Sequence, residues 1–337
     1  MRFRLAAILA ASLCVAAAPP ASRCSPAGRG ADSFCTVRGV RIHYVDWGGK
    51  GPAIILLTGL GDSARIFDDL APRLAQHHHV IALTRRGYGH SDHDQTDYSN
   101  AALVDDILGV MDGLSIRRAS FVGHSIAGGE LSTLGARHAD RVDRLVYLDS
   151  AYDRTAALEL TKNVPPTPGP TAGDRASIGA MARWREATLG VRNRAIRENV
   201  ADNARMEHGQ VVPRTPTKVM LEVLAGDVAA KPDYAAISAP ALAIYSSKDV
   251  AEQISPATPP AARLAVIDYS THVIRPWMLR AQADFLERKH CGVAAELPHS
   301  THYFFLTRPE WTAKAILDFL AARDPCHWSP ATVPHSS

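Results

Sequence analysis

Ser125 has the surroundings that most clearly suggest chemistry. It lies in the stretch FVGHSIAGGE, between a short apolar run and a segment with helical spacing. A serine on a sharp turn between a strand and a helix is exposed, and the helix N-terminus favours developing negative charge. The strained backbone needs small neighbours, which Gly123 and Ala127 provide, although the pattern is GxSxA rather than GxSxG. We therefore predict that Ser125 is a nucleophile on a strand–turn–helix elbow.

A serine hydroxyl is a poor nucleophile until a base takes up its proton. Imidazole titrates close enough to neutral pH to accept that proton and return it, so the chemistry predicted here requires a histidine. Three histidines late in the chain are candidates, namely His302, His299 and His272. His124, next to the serine, is expected to fill a packing role.

The elements that would position these residues alternate between strands and helices. The stretch RIHYVDWG, residues 41–48, alternates in the manner of an edge strand. Buried strands are predicted at AIILLTG, VIALTR, 119–122, 144–148, ALAIYSS and GVAAELP, with helices at 67–75, 100–114, 126–138, 261–289 and 309–322. This order predicts an α/β fold, with a mostly parallel, roughly eight-stranded sheet and helices on both faces.

The pattern changes between residues 152 and 234. A Pro-rich stretch, NVPPTPGP, leads there into polar, Ala- and Arg-rich segments with helical spacing and no strand signal. We expect a helical cap inserted at 152–234, a core formed by 23–151 and 235–325, and a flexible tail at 326–337.

The N-terminal 22 residues have the layout of a secretory signal peptide. Arg2 and Arg4 precede an apolar run, 5–18, which is followed by small residues and prolines. The run is shorter than the roughly 20 residues that span a bilayer as a helix. We therefore expect cleavage, no stable membrane span afterwards, and export to the periplasm or the extracellular medium.

Four cysteines would remain after cleavage, an even number in a chain bound for an oxidising compartment. Disulfides are the expectation, with free buried thiols as the alternative. Cysteines that are close in sequence would each clip one local segment, which favours Cys24 with Cys35 and Cys291 with Cys326.

Charge and histidine patterns argue against several other classes. The formal net charge is +3, and Lys and Arg are scattered, so we expect no nucleic-acid partner. His77, His78 and His79 are consecutive and would point in different directions, so a polar helix end is expected rather than a metal site. We expect neither a metal nor an organic cofactor.

Together, GHSIAGGEL, the RRGYGHSD loop, the YLDSAY strand end and the late THYFF segment resemble the α/β-hydrolase superfamily, in its serine-nucleophile branch. The resemblance implies a catalytic triad in the chain order serine, acid, histidine. His302 occupies the histidine's place, between the last strand and the final helix. Asp249 stands where the family usually has the acid, and Asp149, one strand earlier, is the alternative used by some branches.

The resemblance also implies an oxyanion hole. Its two backbone N–H donors would be Ile126, which follows the serine, and Leu60 in the turn LLTGLGDS. The family often has His before Gly in this turn, whereas this chain has Thr58 and Gly59. A backbone donor does not depend on that side chain.

The same turn fits the pattern GxGxxG/A of dinucleotide-binding proteins. Arg85 and Arg86 close the next strand, where an NADP 2′-phosphate would bind, so an oxidoreductase is a rival interpretation. Export and the separate serine elbow argue against it.

These observations predict a carboxylesterase-like serine hydrolase. It would transfer the acyl group of a small or medium apolar carboxylic ester to water, through an acyl-enzyme on Ser125. Trp184 in the cap and Trp277 on the long helix are candidates for the substrate pocket, with core packing as the alternative. A lyase or a cofactor-free haloperoxidase that uses the same triad is the second possibility.

Overall fold

The computed structural model describes residues 22–25, 28–156, 159–160, 162–247, 251, 254 and 258–330. Its strands are β1 (Arg23–Cys24), β2 (Asp32–Val37), β3 (Val40–Gly48), β4 (Ala53–Leu57), β5 (His79–Leu83), β6 (Ala119–His124), β7 (Val142–Leu148), β8 (Ala204–Glu207), β9 (Gln210–Pro213), β10 (Ala241–Tyr245) and β11 (Gly292–Glu296). Nine strands form one sheet in the order β1-β2-β3-β5-β4-β6-β7-β10-β11, and β8 and β9 form a separate hairpin.

Helices precede or follow most of these strands. They are α1 (Ala71–Leu74), α2 (Asn100–Gly113), α3 (Ala127–Arg137), α4 (Ile178–Leu189), α5 (Arg194–Asn203), α6 (Thr217–Ala229), α7 (Pro260–Tyr269), α8 (Arg275–Arg288), α9 (Phe304–Thr307) and α10 (Pro309–Ala321). A π-helical turn, Ser270–Ile274, joins α7 to α8.

The sheet confirms the predicted α/β fold. Strands β5, β4, β6, β7, β10 and β11 run parallel to one another, while β1, β2 and β3 pair antiparallel at one edge. Every residue of β4, β6 and β10 is buried, as expected for parallel strands that are covered on both faces.

Several details differ from the sequence prediction, among them the number of strands in the sheet, which is nine rather than roughly eight. The stretch 41–48 is not an edge strand, because it belongs to β3, which pairs with β2 on one side and with β5 on the other. The helix predicted at 67–75 is reduced to the single turn α1, after a 3-10 turn at Ala64–Phe67. Pro72 lies in the first turn of α1, and a proline ring prevents a helix from continuing through from the preceding residues.

The sheet separates two apolar cores. Ile55 and Leu57 belong to one cluster, whereas their neighbours Ile54 and Leu56 belong to the other. Successive side chains of a strand point to opposite faces, so each cluster lies on one face of the sheet. This packing holds fixed the ends of the parallel strands, where loops carry chemistry in folds of this kind.

The segment between β7 and β10 contains helices α4, α5 and α6. It also contains the β8–β9 hairpin, which the sequence prediction missed. The hairpin turns at His208 and Gly209, whose φ angles are 48° and 74°. Positive φ at both turn residues is what a tight two-residue hairpin requires, so the His-Gly pair was its sequence signal.

Two disulfides join Cys24 to Cys35 and Cys291 to Cys326, the pairs that the sequence favours. The second bond ties the start of the predicted tail to the loop before β11, and Trp328 packs against Phe319. Residues 331–337 of that tail, like the predicted signal peptide up to residue 21, lie outside the described part of the chain. Among the described residues, no helix has the length and apolar character that crossing a bilayer requires.

Candidate active site

Ser125 lies on a sharp turn between β6 and α3. Its φ angle is 56°, in the left-handed region that is costly for a serine, and its side chain is partly exposed. The turn demands small neighbours, because a Cβ on Gly123 would lie 2.9 Å from Leu131 Cδ1. Gly128 is more restricted still, because a Cβ there would lie 1.9 Å from the carbonyl oxygen of Ser150. This geometry is that of a nucleophile elbow.

His302 lies in the loop between β11 and α9. Its Nδ1 is 2.7 Å from Oδ2 of Asp149, which directly follows β7. A carboxylate at Nδ1 fixes the tautomer in which this nitrogen carries the proton, and it leaves Nε2 as the basic nitrogen. The His302 side chain is 40% exposed, whereas that of Asp149 is 3% exposed. The pair therefore joins a buried acid to an accessible imidazole.

Hydrogen bonds keep Asp149 ionised in spite of its burial. Tyr152 Oη donates to Oδ1 at 2.5 Å, and Ser246 Oγ donates to Oδ2 at 2.9 Å. Burial alone would raise the pKa of Asp149, but the bonds with His302, Tyr152 and Ser246 outweigh it and lower the pKa to about 2. The acid thus carries its charge at neutral pH.

Asp249, the acid that the family resemblance favoured, lies outside the described residues. The acid that the structure brings to His302 is the alternative, Asp149. Its backbone N–H donates to the carbonyl oxygen of Ile244 at 2.7 Å, and its φ angle is 48°. These contacts turn its carboxylate toward the neighbouring strand end and the histidine loop.

The two candidate oxyanion donors come from different turns. Ile126 follows the serine and is the N-cap of α3, and Leu60 lies in the turn after β4. The side chains of Leu60 and Ile126 belong to one apolar cluster, with Tyr88, Val219 and Val223. This shared packing holds the turn after β4 beside the elbow.

A family model described as the alpha/beta hydrolase family matches residues 54–315. The chain belongs to this family. Over 112 residues, or 33% of the chain, it is 33% identical to 2-(acetamidomethylene)succinate hydrolase of Mesorhizobium japonicum. Over 104 residues, or 31% of the chain, it is 38% identical to a putative non-heme haloperoxidase of Mycobacterium phage D29. These matches span only 40% and 37% of the relatives' own lengths.

Solved structures share the fold over a larger part of the chain. A crystal structure of E-2-(acetamidomethylene)succinate hydrolase covers 87% of this α/β hydrolase and 99% of its own chain, with a TM-score of 0.63. The sequence identity in that superposition is 22%, so the similarity concerns the fold.

His124 supports the histidine loop of this α/β hydrolase. Its ring is fully buried, and Nε2 lies 3.0 Å from the carbonyl oxygen of His302. The ring also packs against Tyr303 and Phe305, with centroid distances of 4.7 Å and 4.9 Å. Burial, together with the nearby His302, lowers the pKa of His124 well below its usual value, so the ring is neutral and donates through Nε2.

A buried polar cluster that the sequence did not indicate ties the cap to the turn after β4. Asn199 on α5 accepts from the Ser63 N–H at 2.7 Å and donates to Asp62 at 3.0 Å. Tyr303 donates to the other oxygen of Asp62 at 3.2 Å, and Arg185 on α4 donates to Tyr303 at 3.1 Å. Burial raises the pKa of Asp62, although its partners oppose this effect.

A cavity of about 530 Å³ lies where the cap meets the end of β10. Trp184 lines it, as do Ser246, Ile274, Met278 and Gln282. Ser246 also donates to Asp149, so the cavity wall touches the acid of the candidate triad.

Trp277, the other predicted pocket residue, is not among the residues that line this cavity. Its ring stacks on Tyr152 at 5.4 Å and packs against the core.

The rival histidines are both more exposed than the groups of this arrangement. His272 is exposed and contacts the backbone oxygen of Asp268 at the end of α7, and His299 is also exposed, with φ at 52°. His79 pairs with Asp46, and His78 contacts the Pro52 carbonyl. Within the described residues, no three His, Cys, Asp or Glu side chains group as metal ligands would.

The two arginines of the dinucleotide-binding interpretation are already paired. Arg85 makes two bonds to Glu130, at 2.7 Å and 2.9 Å, and Arg86 makes two to Asp106, at 2.6 Å and 2.7 Å. A guanidinium that already makes two hydrogen bonds to a buried carboxylate is poorly placed to bind a phosphate.

Proposed function

We propose that this α/β hydrolase is a serine hydrolase that cleaves a small or medium apolar carboxylic ester through an acyl-enzyme on Ser125. The observation that carries the proposal is the 2.7 Å contact between His302 Nδ1 and Asp149 Oδ2, with the His302 ring 4.5 Å from that of His124, the residue before the serine on the strained elbow. A buried acid, an accessible imidazole and a partly exposed hydroxyl are the three parts of an acyl-transfer triad.

In the proposed first half-reaction, His302 Nε2 removes the Ser125 proton while Oγ attacks the ester carbonyl. The carbonyl oxygen becomes an oxyanion, which the N–H groups of Leu60 and Ile126 stabilise by about 3 kcal/mol each. The imidazolium then protonates the alkoxide that leaves, and Ser125 retains the acyl group. Asp149 stabilises the imidazolium through Nδ1.

In the second half-reaction, water replaces the alcohol. His302 removes a proton from the water, whose oxygen attacks the acyl carbon, and a second oxyanion forms in the same place. Its collapse breaks the bond to Ser125 Oγ, which takes the proton back. This half-reaction consumes one water molecule, releases a carboxylic acid and returns the free enzyme.

We choose the substrate class from the cavity at the end of β10, which reaches the candidate acid through Ser246, although neither Ser125 nor His302 is among the residues that line it. Its volume of about 530 Å³ suits a small or medium molecule, and its walls combine apolar side chains with several hydroxyls, the amide of Gln282 and the charged side chains of Asp174 and Arg275. Hydrolase names among the relatives and neighbours support hydrolysis in general, and the ester is our narrower choice.

A cofactor-free haloperoxidase is the second candidate, because one relative is named as a putative non-heme haloperoxidase. Hydrogen peroxide would then replace water in the attack on the acyl-enzyme. Oxidation of bromide by peroxide in the presence of a carboxylic acid, lost in Ser125→Ala, would favour this candidate.

We further propose that the chain is exported after cleavage of a signal peptide at residues 1–22. The disulfides Cys24–Cys35 and Cys291–Cys326 support an oxidising compartment. N-terminal sequencing of the protein recovered from outside the cytoplasm tests this. A mature chain that begins at Met1 would contradict it.

The decisive experiment is labelling with a fluorophosphonate, followed by peptide mapping. We expect one adduct on Ser125, no adduct in Ser125→Ala, and a strongly reduced rate in His302→Ala. An unlabelled wild-type protein of native stability would overturn the proposal. Turnover of esters of increasing acyl length then defines the substrate, with the labelled protein as the inactive control.

A further inference from the structure

Arg154, five residues after Asp149, contacts the elbow and the cap at the same time. Its Nη2 donates to the carbonyl oxygen of Ser125 at 2.9 Å, and its Nη1 lies 3.6 Å from Oδ2 of Asp227 on α6. The Arg154 side chain is 12% exposed and that of Asp227 is 5% exposed. The elbow is thus linked to a cap helix through a largely desolvated ion pair.

The backbone of Ser125 needs such restraints because its φ of 56° is unfavourable for a residue with a side chain. On one side, its N–H donates to the Leu148 carbonyl at 3.1 Å. On the other side, its carbonyl accepts from the Gly128 N–H at 3.1 Å and from Arg154. Arg154 supplies the charge-assisted bond of this set, which is the stronger kind.

Asp227 is placed to hold Arg154 against the elbow. A Cβ on Gly129 would lie 2.0 Å from Asp227 Oδ1, so the carboxylate sits against the first turn of α3. Burial raises the pKa of Asp227 to about 6, Arg154 and Arg85 oppose this effect, and Glu130 adds to it. These three charged groups face Asp227 from the segment after β7, the turn after β5, and α3.

We propose that Arg154 is a positioning residue for the nucleophile and that Asp227 holds it in place, so that the cap helix α6 helps to set the elbow's geometry. The inference rests on the proposed function, since it assigns a role in the reactivity of Ser125. Neither residue touches the reacting atoms, and both act through the Ser125 carbonyl.

The test is the second-order rate of fluorophosphonate labelling at Ser125 in the full chain, between pH 5 and pH 8.5. At pH 7.5 we expect Arg154→Gln to slow labelling by roughly ten- to hundredfold, the range for a lost charge-assisted hydrogen bond. Arg154→Lys, which keeps the charge, should recover part of that loss. Asp227→Asn should slow labelling less.

Coupling and pH dependence separate positioning from general stability. The double variant Arg154→Gln/Asp227→Asn should label no more slowly than Arg154→Gln alone, because Asp227 acts only through Arg154. In the wild type, protonation of Asp227 releases Arg154 as the pH falls through about 6, so labelling should fall there more steeply than in Asp227→Asn.

Arg86→Gln is the matched control. It breaks another buried arginine–carboxylate pair, with Asp106, that makes no contact with Ser125. This variant should lose stability but keep its labelling rate while folded. Wild-type protein that is not labelled would overturn the serine hydrolase proposal itself.

If the wild type is labelled and Arg154→Gln is labelled at a rate within twofold of the wild-type rate, only the positioning role would be overturned. Additive losses in the double variant would overturn the role of Asp227. If Arg154→Gln does not fold, the other two variants still test the inference. It would be overturned if Arg154→Lys labelled at the wild-type rate and Asp227→Asn had the wild-type pH profile of labelling.

Discussion

The Nε2 atom of His124 lies 3.0 Å from the backbone carbonyl oxygen of His302. The residue before the candidate nucleophile therefore holds the loop that carries the candidate base, although 178 positions separate the two in the chain. The elbow and the histidine loop are joined through a buried neutral ring, and a change at His124 should affect both stability and reactivity.

His124→Phe should reveal this link. Phenylalanine keeps the aromatic packing but leaves the His302 carbonyl without its donor, which costs about 1–3 kcal/mol of unfolding free energy. We also expect slower labelling of Ser125, because the imidazole of His302 loses a support. Urea denaturation and labelling rates measure the two effects. An exposed counterpart, His272→Phe, should change neither, and equal behaviour of the two variants would refute the link.

Replacing each candidate acid separately decides between Asp149 and Asp249. Asp149→Asn should lower ester turnover by about 10⁴-fold, because an amide at Nδ1 favours the wrong histidine tautomer. We expect Asp249→Asn to retain most of the activity. Steady-state kinetics on one ester suffice, with thermal melts to confirm that both variants are folded. Comparable losses in the two variants would mean that the acid is not Asp149 alone.

The sequence indicated the positions of the serine and the histidine loop because both signals are local. Strand β6 ends at His124 and α3 begins at Ala127, and His302 lies between β11 and the final helices. The acid is different, because Asp149 and Asp249 each end a strand-like apolar run. Which carboxylate faces the histidine depends on bonds such as that from Ser246, 97 positions away, and no local pattern reports these.

The cap was the part least accessible to sequence reasoning. Asp62, Arg154 and Asp227 look like ordinary surface carboxylates and cations in the sequence, yet all three have largely buried side chains. Their partners lie on segments far apart in the chain, so only the tertiary structure reveals that Asp62 connects the cap with the turn after β4, and that Arg154 and Asp227 connect it with the elbow.

Acid should destabilise the protein partly through Asp149. Its pKa falls from 3.8 to about 2 on folding, so its contribution is complete above about pH 4 and is lost as the pH falls toward 2. The contribution is about 2 kcal/mol. Urea titrations at several pH values give the unfolding free energies of the wild type and of Asp149→Asn. The difference between the two isolates the contribution of Asp149, because the other carboxylates affect both proteins equally. A constant difference between pH 5 and pH 2 would contradict the expectation.

Glycine substitutions around the elbow should follow the room available for a Cβ. In Gly128→Ala the new methyl group would lie 1.9 Å from the backbone oxygen of Ser150, which cannot move without shifting the segment that carries Asp149. We expect a loss of about 3 kcal/mol or more, with labelling of Ser125 abolished. Gly123→Ala should cost less, because its closest neighbours are side-chain atoms rather than backbone, with Leu131 Cδ1 at 2.9 Å and Ala127 Cβ at 3.0 Å.

Gly28→Ala is the matched control for these substitutions, since Gly28 is exposed, does not line the cavity, and its added methyl group would make an ordinary contact with Ala31 Cβ at 3.5 Å. It should be neutral within about 0.5 kcal/mol, as surface changes usually are. Thermal melts and fluorophosphonate labelling of the three variants provide the ranking. A Gly128→Ala protein that melts and labels like Gly28→Ala would show that the elbow does not need the close approach between α3 and the segment after β7.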